Sequence, residues 1–129
     1  MLAQSALYLT AIILGAMIFF SLVVAPTTFK LLDEKNSRKF IRGIFPFYYL
    51  LNLILSFVAS VLFFLKQNLS IDFLLMTSIC ILFAISNFIL MPMINKFRDN
   101  NEDKKFKISH FISVIINFIQ LIFLVIILL

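Results

Sequence analysis

At 129 residues the chain is long enough for a single domain. Hydrophobic residues make up 63% of it and charged residues only 13%, with a mean hydropathy of +1.11, which excludes a water-soluble fold because so small a protein cannot bury that much apolar surface. The net charge of +5 does not indicate a nucleic-acid partner, because the basic residues lie in two short segments rather than on a folded basic face. We therefore expect one membrane domain over residues 1–129.

Four apolar runs predict four membrane-crossing helices, because each is close to or above the roughly 20 residues that span the hydrocarbon core. The first is predicted over residues 4–29, where Pro26 indicates a kink or an end near the membrane surface. A charged loop follows, with a short amphipathic helix at the membrane surface starting near Ser37. The remaining helices are predicted over residues 43–65, with Pro46 in the first turn, then over 71–95 and 107–129.

Weakly polar side chains recur at helical spacing in the second, third and fourth runs, and we expect them to point into the protein. They are Asn52, Ser56, Asn87, Ser113, Asn117 and Gln120. Amides in lipid must find partners, so these residues either join helices by hydrogen bonds or line a small polar cavity for a substrate, a quinone or an ion.

An internal repeat organises the chain. Residues 21–33 and 87–99 both carry an apolar run that reaches a proline, a lysine four residues later and an aspartate three after that. At a shift of 66, the repeat pairs Pro26 with Pro92, Lys30 with Lys96, and Asp33 with Asp99. The predicted fold class is therefore an all-α integral membrane protein, a four-transmembrane-helix bundle built from two parallel two-helix repeats, residues 1–66 and 67–129. The two proline segments should face each other across a pseudo-two-fold axis.

The basic residues predict the orientation in the membrane. Five lie between the first and second runs, five lie between the third and fourth, and only Lys66 lies elsewhere. Because cytoplasmic loops carry the excess of lysine and arginine, both basic loops should be cytoplasmic and both termini non-cytoplasmic, in a bacterial inner membrane or a plasma membrane. The basic loops should meet anionic lipid headgroups. Homo- or hetero-oligomers are both compatible with the sequence.

Five short segments together resemble the transmembrane-protein-205-like family of small membrane proteins. They are Gly15-x-x-x-Phe19, Pro26-x-x-Phe29, Gly43-Ile44-Phe45-Pro46-Phe47-Tyr48-Tyr49, Asn87-x-x-x-x-Pro92 with Arg98-Asp99, and His110-x-x-Ser113-x-x-x-Asn117. The resemblance covers residues 10–125 and implies four membrane helices, but no activity, since the family has no agreed biochemistry. One departure is Met93, because relatives tend to carry a basic residue directly after the third-helix proline. A shared anion-binding role there is therefore in doubt, although Lys96 could reach the same interface.

Candidate chemistry centres on His110, the only histidine. It could ligate a haem or copper, carry protons, or serve as a hydrogen-bonding residue at the membrane surface. Haem ligation would need a second ligand such as Met91, or one of Met17, Met76 and Met93. No catalytic residue set for hydrolysis is present, so we expect a non-enzymatic membrane component for transport, permeation or assembly of a complex, with no cofactor. The alternative is a membrane redox protein that binds haem, copper or quinone through His110.

Overall fold

The computed structural model describes all of residues 1–129, as four helices joined by short turns. The helices are α1 (Leu2–Leu31), α2 (Glu34–Lys66), α3 (Ile71–Asp99) and α4 (Asp103–Leu128). Each is long and apolar enough to cross a membrane. The turns are so short that consecutive helices run in opposite directions, and each helix packs against two neighbours in the order α1, α2, α3, α4 and back to α1.

Local sequence fixes where α2 and α3 begin. The Asp33 carboxylate accepts a hydrogen bond from the Asn36 amide at 3.0 Å, and the Ser70 hydroxyl accepts one from the Phe73 amide at 3.2 Å. Both satisfy amides that the first turn of a helix leaves without a backbone partner. The turn between α3 and α4 contains Asn101 at φ 56°, a left-handed conformation that asparagine tolerates better than most residues.

The second helix starts earlier than the sequence pattern indicated. We expected a charged loop with a short surface helix starting near Ser37, and then a separate helix over residues 43–65. Instead α2 is one continuous helix that begins at Glu34, and Pro46 lies inside it rather than in its first turn. The cap at Asp33 and the acidic first turn let the helix start in the charged segment. With 33 residues α2 is about 50 Å long, so it extends well past a hydrocarbon core of about 30 Å.

The basic segments are consequently helix ends rather than loops. Ten of the 11 basic side chains lie on the last turns of α1 and α3 and on the first turns of α2 and α4. We call this part of the bundle the basic end. The chain termini and the α2–α3 turn form the opposite end.

Both α1 and α3 contain one widened π-helical turn, at Phe20–Val24 and at Ser86–Leu90. These turns precede Pro26 and Pro92, and they begin 66 residues apart. A proline ring crowds the carbonyl four residues before it, and a π turn absorbs that crowding without ending the helix. Neither helix ends at its proline, and both prolines are exposed on the bundle surface.

The apolar core lies towards the opposite end. It consists of Ala6, Ile13, Met17, Ala59, Phe63, Met76, Ile79, Phe83, Leu124 and Ile127. Only 21 of 129 residues are buried, and many of the exposed ones are large and apolar. Four phenylalanines on the outer surface, for example, are 61–65% exposed, namely Phe57, Phe88, Phe111 and Phe118. An outer surface of this kind is suited to lipid.

Candidate functional site

A cavity of about 550 Å³ lies between the helices at the basic end, where the apolar core stops. All four helices contribute side chains to it. Its outer part is polar and contains Glu34, Arg38, Arg98 and His110, whereas its inner part contains Tyr49. From Arg38 to Tyr49 the distance along α2 is roughly 16 Å, so the cavity reaches from the charged helix ends into the apolar part of the bundle.

One face of α2 supplies much of the lining. Glu34, Arg38, Arg42, Phe45 and Tyr49 follow one another at steps of four, four, three and four residues, and all five line the cavity. This spacing keeps side chains on one side of a helix. The same face therefore changes from charged to aromatic as α2 enters the bundle.

Glu34 joins two arginines at the mouth of the cavity. Its carboxylate forms an ion pair with Arg38 of the same helix and lies 3.5 Å from Arg98 of α3. Since one carboxylate faces two guanidinium groups, this triad carries one net positive charge. The Glu34 side chain is 74% exposed and that of Arg98 only 32%, so the arginine is the more enclosed partner.

Arg42 is engaged separately, with Asp99. The guanidinium donates to both carboxylate oxygens, with Nη2–Oδ1 at 2.6 Å and Nη1–Oδ2 at 3.2 Å. Its Nη2 also donates to the Asn95 carbonyl at 3.4 Å. This two-point pair connects α2 to α3 and is electrically neutral.

Aromatic rings lie beside the charged groups and deeper in the cavity. The Arg98 guanidinium lies 4.7 Å from the centroid of the Phe106 ring, a distance typical of cation–π contact. The His110 ring stacks on the same phenylalanine, with centroids 5.9 Å apart and planes within 5°. Deeper in the cavity, Phe45 stacks on Tyr49 at 5.3 Å. The site thus combines cationic groups with flat apolar surfaces.

The turn that leads into α4 is held by its own charges. Glu102 pairs with Lys105 and accepts a hydrogen bond from Asn100 at 3.4 Å. The hydrogen bond from Lys105, followed by that from Asn100 and by the charges of Lys105 and Lys96, holds the pKa of the Glu102 carboxyl below its ordinary value against some desolvation. This turn orients the first turns of α4, from which Phe106 and His110 project.

The residues that the sequence predicted for a site divide into two groups. Arg98, Met91, His110 and Ser113 line the cavity, and His110 is exposed at its edge. The others lie outside the lining, and they are Asn52, Ser56, Asn87, Asn117 and Gln120, together with Pro26, Lys30, Asp33, Pro92, Lys96 and Asp99.

Several amides make contacts within the bundle instead. Gln120 is buried and its Nε2 donates to the Ile79 carbonyl of α3 at 3.3 Å. Asn117 Nδ2 lies 3.5 Å from the Ser21 hydroxyl of α1. Asn52 is fully buried and donates only to the Tyr48 carbonyl of its own helix, while its Oδ1 atom has no partner. Gln120 and Asn117 therefore join helices, whereas Asn52 does not.

The sequence pattern did not single out Glu34, Arg38, Ser86 or Phe106, all of which line the cavity. The four- and three-residue spacing on α2 was present in the sequence, but it has meaning only if residues 34–42 are helical. No group of three or more histidine, cysteine, aspartate or glutamate side chains that could hold a metal ion is present.

Four apolar helices packed as a bundle define a small membrane-type helical protein. The chain belongs to the family described as a domain of unknown function, DUF4149, which matches residues 8–103. The matched region covers most of α1, all of α2 and α3, and ends where α4 begins. No curated protein and no solved structure matches the chain.

Proposed function

We propose that the protein is a non-enzymatic integral membrane component that takes up a ligand in the cavity at the basic end. It would act in transport or permeation, or as a helper within a larger complex. The observation that carries this proposal is the cavity itself, which is about 550 Å³ in volume and includes side chains of the charged helix ends in its lining. Ligand sites in proteins are typically concave, about 300–1,000 Å³ in volume and mostly apolar with a few placed polar groups.

The proposed orientation puts the basic end in the cytoplasm and both termini on the other side of a bacterial inner membrane or a plasma membrane. Its support is the concentration of ten of the 11 basic residues at one end of the bundle, which is the charge asymmetry that normally sets membrane topology. In this orientation the charged part of the cavity lies at the level of the cytoplasmic leaflet and its anionic headgroups.

We also propose that the two halves are parallel repeats. The π turns at Phe20–Val24 and Ser86–Leu90 support this, because they begin at the same offset of 66 residues as the paired prolines. Affiliation with the transmembrane-protein-205-like family remains a proposal that rests on the ordered short motifs.

Absence of enzymatic activity is part of the proposal and is supported by the residues around the cavity. The Ser113 hydroxyl donates to the His110 backbone carbonyl at 2.7 Å, so it is directed at its own helix rather than at the imidazole. A serine nucleophile would need a base within hydrogen-bond reach.

A redox role is the second candidate, and one observation favours it. His110 and Met91, the histidine and a methionine that could ligate haem or copper, line the same cavity although they come from different helices. Quinone could also use a cavity with a histidine at its edge.

Cysteines introduced at two adjacent positions test whether the cavity is accessible from water. Leu90 lines it, whereas the adjacent Ile89 is 58% exposed on the outer surface. In a Cys80→Ala background, a water-soluble thiol reagent applied to the reconstituted protein should label Leu90→Cys and leave Ile89→Cys unlabelled, because lipid covers Ile89. Equal labelling of the two variants, or labelling of Ile89→Cys alone, would contradict the proposal.

A further inference from the structure

We infer that the cavity binds an anionic amphiphile, a molecule with a phosphate or carboxylate headgroup and an apolar chain. The headgroup would lie between Arg38 and Arg98, and the chain would extend inwards along Phe45 and Tyr49. This inference rests on the proposed function and specifies the ligand class for the same cavity.

The charges at the mouth select for an anion. Glu34 neutralises only one of the two arginines near it, so the triad retains one positive charge. Arg42 contributes no further charge, because Asp99 pairs with it at two points. A phosphate or carboxylate can accept two parallel hydrogen bonds from a guanidinium group, which makes arginine well suited to either headgroup.

Glu34 is positioned as a replaceable counterion. Its side chain is 74% exposed, and its contact with Arg98 is long at 3.5 Å. An exposed ion pair of this kind contributes little to stability. An incoming anion can therefore take the place of the Glu34 carboxylate beside Arg98 without disturbing the helices.

The interior of the cavity selects for an apolar chain. Beyond the arginines the α2 face continues with Phe45 and Tyr49, whose rings stack at 5.3 Å, and α3 contributes Leu90. The charge-free part of α2 begins at Gly43, so the arginines lie at headgroup level and the aromatic rings lie within the hydrocarbon region. A small hydrophilic anion would fill the mouth and leave this apolar part unused.

The natural absence of tryptophan provides a clean test. We would introduce a single tryptophan by Phe45→Trp, inside the cavity, and as a matched control by Phe57→Trp, which is on the same helix but 61% exposed to lipid. Each variant is reconstituted in phosphatidylcholine nanodiscs and titrated with phosphatidic acid whose chains carry bromine, a contact quencher. The same titration with brominated phosphatidylcholine reports unselective contact with lipid.

Phosphatidic acid should quench the Phe45→Trp variant at a lower mole fraction than it quenches Phe57→Trp, and brominated phosphatidylcholine should not show this preference. In the Phe45→Trp protein, Arg98→Gln should raise the half-saturating mole fraction about tenfold or more, as expected for the loss of a charge-assisted hydrogen bond. Glu34→Gln should lower it, because the competing carboxylate is removed. Lys107→Gln removes the same charge at the same end but outside the cavity lining, so it should change the value little.

Equal quenching of the Phe45→Trp protein by the two lipids, or no response to Arg98→Gln and Glu34→Gln, would overturn the inference. Full displacement of the brominated lipid by millimolar inorganic phosphate would also overturn it, because the ligand would then be a free anion. If Leu90→Cys is still labelled in these cases, the cavity stands and only the ligand class is wrong. If Leu90→Cys is unlabelled, the proposed function fails as well.

Discussion

Arg42 of α2 and Asp99 of α3 hold the two helices together at the basic end, with Nη2–Oδ1 at 2.6 Å and Nη1–Oδ2 at 3.2 Å. The pair also keeps Arg42 from adding its charge to the cavity. The proposed repeat aligns Asp99 with Asp33, but the two aspartates make different contacts. Asp33 caps α2, whereas Asp99 neutralises an arginine.

Loss of the Arg42–Asp99 pair should destabilise the bundle slightly, and exchanging the two charges should restore part of the lost stability. Both side chains are partly exposed, so the expected loss of thermal stability for Asp99→Asn is small. Arg42→Asp should lower the melting temperature in detergent further, because two carboxylates then face each other, and the exchanged double variant Arg42→Asp, Asp99→Arg should recover part of that loss. If the exchanged variant were no more stable than Arg42→Asp alone, the pair would not form as described.

The two buried amides should respond differently to replacement by leucine. Gln120 donates across the bundle to the Ile79 carbonyl, whereas Asn52 bonds only to its own helix and has an Oδ1 without a partner. Gln120→Leu should cost about 0.6 kcal/mol, the average for interhelical hydrogen bonds in a membrane protein. Asn52→Leu should be neutral or stabilising, since it removes a buried unpaired acceptor. Unfolding measured in mixed detergent and lipid micelles compares the two, and the reverse ranking would refute these assignments.

The orientation of the protein in the membrane can be tested directly by cysteine labelling. Lys35 is exposed at the basic end, and Asn68 is exposed in the turn at the opposite end. In intact cells that carry the Cys80→Ala background, a membrane-impermeant maleimide should label Asn68→Cys immediately and Lys35→Cys only after permeabilisation. Labelling of Lys35→Cys alone in intact cells would invert the proposed topology.

The redox alternative predicts a coloured or metal-containing protein. Under the non-enzymatic proposal, protein purified in a mild detergent should show no Soret band and no stoichiometric copper. A Soret band that disappears in His110→Ala, and persists in the adjacent Ser109→Ala variant, would favour the redox alternative instead.

The four helices could be predicted from the sequence, because long charge-free runs have few other solutions in a chain this apolar. The cavity could not be predicted in the same way. Residues 30–42 are charged, and charge alone is as typical of a loop as of a helix that extends into water. Only once Asp33 caps α2 do Glu34, Arg38 and Tyr49 fall on one face.

The buried amides show a second reason why the cavity could not be predicted from the sequence. Helical spacing predicted an inward face for Asn52 and Gln120, and the structure buries both side chains. Spacing says nothing of depth along the bundle, however, and the cavity lies nearer the basic end than either residue. Of the polar residues predicted on α4, only His110 and Ser113 lie near enough to that end to line it.

Whether an anionic amphiphile occupies the cavity at the basic end can be seen directly in a crystal structure grown from a lipid mesophase that contains phosphatidic acid. We predict elongated density with its head between Arg38 and Arg98 and its body along Phe45 and Tyr49. A cavity closed by its own side chains, or filled by ordered water with Glu34 still paired to both arginines, would contradict that prediction.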